Sequence, residues 1–257
     1  MEKSTNHLLK AWRGLSLTHR PYILAGDKII KEYCQPYKCF KDYVKKPDLA
    51  TESPEKFHCG LIPVPYQGDI IKAKIYILAL NPGFGPHDYY AESHDKAFRN
   101  ARIQQLRQHG LDKDFPFMGL NPLFSWHSRY WTNRLGDIIE IIKKHKNLSD
   151  REASSLLSKS IACLEYIPYH SEKFGLKRTV INEMLSPKLI KTFVHDYVVP
   201  KAKSGAAIII AIRKVKRWGL PKNPNIVVYE AAQARAGYLN SKSPGGKMIL
   251  KVMDYEL

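Results

Sequence analysis

The chain is short of acid. Its 257 residues carry 24 Asp and Glu against 41 Lys and Arg, a formal net charge of +17. Carboxylates this sparse, without the clustering that catalytic divalent metals need, argue against a metal-dependent nuclease. No run of about 18 apolar residues occurs, so no membrane span is expected. The opening MEKSTNHLLKAW lacks the apolar core of a secretory signal. The expectation is a cytoplasmic protein with reduced thiols. Cysteine is scarce, with Cys34, Cys39, Cys59 and Cys163 and no C-x-x-C pair. His58 beside Cys59 would complete a zinc-like set with Cys34 and Cys39, but four ordinary thiols and no metal is the simpler reading. A GxxxxGK phosphate loop is absent, which disfavours a nucleotide hydrolase. Internal repeats and low-complexity segments are absent too.

What is present is positive charge. A field of that sign raises the local concentration of polyanions, and nucleic acid is the commonest such partner for a basic chain. Ribosomal association, an anionic membrane surface and a merely solvated basic face are the other readings. The length suits one large domain, or one domain with a small appendage.

Apolar runs at Lys74–Leu80, Ile161–Ile167, Ala206–Ile212 and Asn225–Tyr229 read as strands. Helical patterns fall between them, at 92–109, 131–145, 188–199 and in RKVKRWG. Strands alternating with helices imply an α/β fold, a three-layer α/β/α arrangement around a parallel sheet of about four strands. Residues 1–60 read as a helical N-terminal extension and 61–257 as the α/β domain. Ligands of such sheets bind beyond the carboxyl ends of the strands. That rule selects NPGFGPHDYY, PYHSEKFG, RKVKRW and EAAQARAGYLN.

The first of these loops is the most informative. Two glycines and two prolines stiffen it and let its backbone approach a ligand closely. Asn-Pro-Gly also makes an ordinary strand-to-helix turn. The run ALNPG, Ala79 to Gly83, resembles the first motif of the uracil-DNA glycosylase superfamily, particularly its mismatch-specific Asn-Pro-Gly branch. PYQGD before the strand and FPFMGLNP, RYWTNRLGD and PYHSEKF after it stand in the order found in bacterial relatives, so the resemblance spans residues 61 to about 245.

The resemblance implies a uracil-DNA glycosylase-like fold and a monofunctional DNA glycosylase, a cytoplasmic monomer without cofactor that acts on duplex DNA. It gives Asn81 the task of positioning the attacking water. The superfamily's second motif, His-Pro-Ser or Asn-Pro-Ser, is missing, and AAQARAG stands in its place. His170, Gln233 and Arg235 are therefore left as candidates to stabilise the departing base. A lysine nucleophile giving lyase activity also stays open.

Base cleavage needs a flipped nucleotide, donors aimed at the base and a dry pocket. Phe117 is the expected stacking face with Phe84 second, though Phe117 equally suits a core. Asp88 equally suits a catalytic base and a helix N-cap. From Lys201 to Leu257 there are eleven Lys and Arg against three acids. Lys214, Lys216, Arg217 and Arg235 would face phosphates, and Tyr238 or Leu239 would fill the vacated stack.

In the uracil-specific branch a tyrosine after the proline blocks the pyrimidine C5 position. Gly83 stands there in this chain and leaves C5 open, while His87, Asp88, Tyr89 and His170 are placed to bond a polar substituent. With Pro82 they complete the expected base pocket. A modified pyrimidine is the implied substrate, as in superfamily members that attack phage DNA. A uracil or mismatch repair glycosylase and a non-catalytic nucleic-acid-binding protein are the alternatives.

Overall fold

Three apolar runs, Ile75–Ala79, Ile161–Glu165 and Ile208–Ala211, are buried at every position and form the middle of the sheet, because a strand covered on both faces has no polar side. The computed structural model describes residues 3–45, 53–127, 129–213 and 215–254. Its strands are β1 (Tyr66–Gln67), β2 (Ile75–Ala79), β3 (Ile161–Glu165), β4 (Ile208–Ala211) and β5 (Ile226–Val228). The first helices are α1 (Lys3–Arg13), α2 (Phe40–Val44), α3 (His87–His94), α4 (Lys96–Arg107), α5 (Arg129–Lys146) and α6 (Asp150–Ser160). They are followed by α7 (Arg178–Glu183), α8 (Ser186–Phe193), α9 (Val199–Lys203), α10 (Val215–Trp218), α11 (Ala231–Ala236) and α12 (Pro244–Val252).

The chain divides into two units. The first is assembled from Met1–Pro65, Leu80–Arg107 and Glu165–Phe193, the second from Tyr66–Ala79, Gln108–Leu164 and Val194–Leu257.

The second unit holds the sheet, in the order β1-β3-β2-β4-β5. β2 pairs with β4 and β4 with β5 in parallel, whereas β1 runs antiparallel to β3. All four expected strands are present. The fifth, β1, is an edge of two residues, so the sheet is mostly rather than wholly parallel. Ile75, Ile77 and Ala79 of β2 share one face with Ile208 and Ile210 of β4. Leu135, Ile138 and Ile142 of α5, Leu157 of α6 and Ile249 and Leu250 of α12 cover that face in one apolar cluster. Tyr76 points the other way and meets the segment around α9, where Lys201 Nζ lies 3.1 Å from its hydroxyl. The sheet is thus flanked on both sides.

In the first unit α1 packs on α8 and α4, and α3 packs on α4. The expected single helix at 92–109 is two helices. Asp95 leaves the helical conformation, and its carboxylate accepts the amide of Phe98 at 2.9 Å, which starts α4 afresh. Ile30, Phe57, Ile167, Tyr169, Val180 and Ile181 form one buried cluster. The thiol expectation is corrected here: Cys34 and Cys59 are joined in a disulfide, leaving Cys39 and Cys163 free. The backbone bridge between Cys34 and Phe57 brings those two segments together.

Candidate functional site

The loop after β2 belongs to the first unit, as does the segment 165–173 that follows β3. Backbone contacts tie them, Ile167 N to Leu80 O at 2.8 Å and Ser171 N to Pro82 O at 3.3 Å. The half-buried Asn81 lies between them. Its Nδ2 donates to Pro82 O at 3.0 Å, to Tyr169 O at 3.4 Å and to Ser171 Oγ at 3.0 Å. Two of these partners are carbonyls, which only accept, so the amide has one permitted orientation. The Ser171 hydroxyl passes its own proton to Lys173 O at 2.8 Å. Oδ1 accepts no hydrogen bond from any described residue. The result is a fixed neutral acceptor on a stiff loop.

Gly83 beside it is exposed, and a Cβ built there would meet nothing within 4 Å. Pro82 is buried, and Phe84 is half-buried with its ring stacked on His58 at 3.5 Å between centroids. His87 is exposed, its ring beside Gly85.

Three expected roles are corrected in this unit. His170 is buried, with Nδ1 2.9 Å from Gly83 O and Nε2 3.2 Å from Ile62 O. Both ring nitrogens are thus turned to carbonyls of the protein, and the ring holds the loop at Gly83. Burial lowers its pKa, while the Asp88 charge and the two carbonyls act in the opposite direction. Asp88 is buried as well, and its Oδ2 accepts the amide of Gly85 at 2.6 Å. The carboxylate closes the loop at the start of α3 and is not presented as a base. Tyr89 is buried, its hydroxyl donating to Tyr37 O at 3.1 Å and its ring stacked on Tyr43.

A charged layer that sequence reasoning did not foresee lies against His170. The oxygens of Glu92 accept Ile62 N at 3.0 and 3.1 Å, and Arg99 Nη1 is 3.9 Å away. Burial pushes the Glu92 carboxyl up to about 7, against the pull of Arg102 and the Ile62 amide. One residue, Ile62, therefore meets both groups, the Glu92 carboxylate through its N–H and the His170 ring through its C=O. The available signal was the four-residue spacing of Asp88 and Glu92, which puts both on one face of α3.

In the second unit Phe117 is fully buried, meeting Trp131 edge-on at 5.0 Å between centroids. It is a core aromatic and not a stacking face. Leu239 is also buried in that core, whereas Tyr238 is exposed. Gln233 is exposed, but its Oε1 accepts Glu230 N at 3.0 Å and caps α11. Lys216 is exposed and Arg217 half-buried. Lys214 lies outside the described residues, as does the side chain of Arg235. No helix among the described residues is long and apolar enough to cross a membrane. Comparison with family models, curated proteins and solved structures finds no match.

Proposed function

We propose that the protein is a monofunctional DNA glycosylase of the uracil-DNA glycosylase type, acting on a flipped, modified pyrimidine in duplex DNA. One observation carries the reading: the Asn81 carboxamide is held by its nitrogen while its oxygen remains as a fixed acceptor. That oxygen would take a hydrogen bond from a water and orient a lone pair of the water toward the sugar C1′. As the water oxygen bonds to C1′, the glycosidic bond breaks and its electron pair leaves with the base. The proton given up by the water finally rests on the base or in solvent. An amide orients the water but does not deprotonate it. The barrier must therefore fall through stabilisation of the leaving base. His87, exposed beside Gly85, is the side chain of the loop that we assign to donate to it.

The open position at Gly83 supports a base with a bulky C5 substituent, such as phage DNA carries, and a role in antiviral defence. The basic surface of the second unit supports DNA as the partner. The decisive experiment compares abasic-site formation, revealed by alkali, on DNA bearing uracil, thymine mismatches, hydroxymethylcytosine and glucosylated hydroxymethylcytosine. Release of a modified cytosine is expected. Exclusive release of uracil would move the protein to repair.

A second reading, a non-catalytic nucleic-acid-binding protein, is favoured by the engagement of His170, Asp88 and Gln233 within the protein. Tight DNA binding with no base released from any of these substrates would establish it.

A further inference from the structure

The second unit carries exposed rings beyond Tyr238, the one that the sequence reading gave to DNA as a filler of the vacated stack. Tyr130 opens α5 with 43% of its surface exposed, Trp126 in the turn before it has 45%, and Tyr238 has 61%. The Arg134 guanidinium lies on the Tyr130 ring at 3.6 Å from its centroid. One turn further along the same face, Asp137 accepts the amide of Ser241 at 2.7 Å. That bond lays the segment holding Tyr238 alongside Tyr130 and Arg134.

The backbone on both sides of Tyr238 is fixed. The Tyr238 carbonyl accepts the Tyr229 hydroxyl, and Gly237 before it takes the left-handed conformation that ends α11. Arg213 packs on Gly237, 3.7 Å from where a Cβ would stand, and donates to Ala234 O. Arg213 also acts electrostatically on Arg134, as do Tyr130 and Tyr238.

The Arg134 guanidinium thus lies on one exposed ring, and Arg213 packs against the residue that precedes another. Exposed rings on a fixed backbone offer stacking area with little ordering cost. Rings call for the open faces of unpaired bases, and guanidinium groups for phosphates. A protein partner would answer the rings but not the net charge of +17. The paired bases of a duplex hide the faces that the rings need.

We infer that this face is a binding site for single-stranded DNA, with Trp126, Tyr130 and Tyr238 stacking on unpaired bases and Arg134 and Arg213 holding phosphates. The site does not depend on Asn81 or on base release.

Trp126 makes the test direct, since Trp12, Trp131 and Trp218 are buried. Titration with a dT12 oligonucleotide should quench tryptophan fluorescence, and Trp126→Phe should remove most of that quench. Tyr238→Ala and Tyr130→Ala should each weaken dT12 binding roughly 5- to 100-fold, the range expected for one stacked base. Tyr130→Phe, which keeps the ring, should bind as the parent does. Affinity for a fully paired 12-mer should change less than twofold in all of them. Asn81→Ala should quench normally, which separates this site from the catalytic proposal. Equal losses on single-stranded and paired DNA, an unchanged quench in Trp126→Phe, or tighter binding to oligo-U than to dT12 would overturn it. If Tyr130→Ala melts early, the exposed Tyr238→Ala and Trp126→Phe carry the test alone.

Discussion

The side-chain nitrogen of Asn81 lies 3.0 Å from the hydroxyl oxygen of Ser171, whose proton is committed to the carbonyl of Lys173. The serine is therefore an acceptor toward the asparagine, and no described residue donates to the asparagine oxygen. Ninety residues of sequence separate the two.

Ser171→Ala should lower single-turnover base release about tenfold and leave DNA affinity unchanged, because only the aim of Asn81 suffers. Its cost in stability should be about 1 kcal/mol, that of one hydrogen bond. Asn81→Ala should abolish release while DNA still binds. Asn81→Asp sets a carboxylate against the carbonyls of Pro82 and Tyr169 and should lower stability by roughly 1–3 kcal/mol. Parallel loss of binding and release in Asn81→Ala would reduce the motif to a structural turn.

The Glu92 carboxyl should leave a signature in the pH dependence of stability. Its pKa rises from the ordinary 4.5 to about 7 on folding, with burial as the main cause. Folding takes up a proton in that window, so the contribution of Glu92 is fully present below 4.5 and is lost as pH climbs through about 7. The shift corresponds to roughly 3 kcal/mol. His170, with a lowered pKa, has the opposite slope. The difference between parent and Glu92→Gln in urea melts from pH 4 to 8 therefore isolates the carboxyl. Parallel curves would show that the pKa of Glu92 does not change on folding.

DNA binding should weaken steeply with salt, since released counterions drive it. Lys216→Glu and Arg217→Glu should each reduce affinity for any sequence to a similar extent and flatten the salt slope by about one contact or more. Anisotropy titrations at several salt concentrations measure both effects. Binding indifferent to salt would contradict phosphate docking.

The disulfide between Cys34 and Cys59 closes a loop of sequence separation 25. Tying such a loop restricts the unfolded chain and contributes roughly 3–4 kcal/mol. Thiol titration in denaturant without reductant should find two free groups, Cys39 and Cys163. Reductant should lower the melting temperature of the parent but not of the Cys34→Ser/Cys59→Ser double variant. Four reactive thiols would remove the bond from the account.

The parts of this fold that were legible in sequence are those that local burial dictates. Ile75–Ala79 and Ile208–Ala211 are buried at every position, and an unbroken apolar run of that length reads as a strand. β1 escaped because two residues carry no periodicity. α6 was legible in principle, since Ser149 and Glu152 make a reciprocal capping box, a signature visible as S-D-R-E. The site was half legible. Pro82 and Gly83 announce a stiff loop, yet the groups that hold Asn81 come from Tyr169 and Ser171, and no local pattern reports such a contact. Phe117 shows the reverse limit, because a core and a stacking face ask for the same ring and only burial separates them.

The chain passes between its two units five times, at residues 65–66, 79–80, 107–108, 164–165 and 193–194. No single cut releases either unit intact, and a fragment beginning near residue 61 would strip the first unit of α1, α2 and both cysteines of its disulfide. During synthesis on a ribosome, that unit waits for Phe193 to emerge before its last segment is in hand, so its earlier segments, Trp12 and Phe57 among them, remain exposed apolar chain until then. Recombinant production should accordingly depend on chaperone supply and on slow elongation far more than the size of the protein suggests.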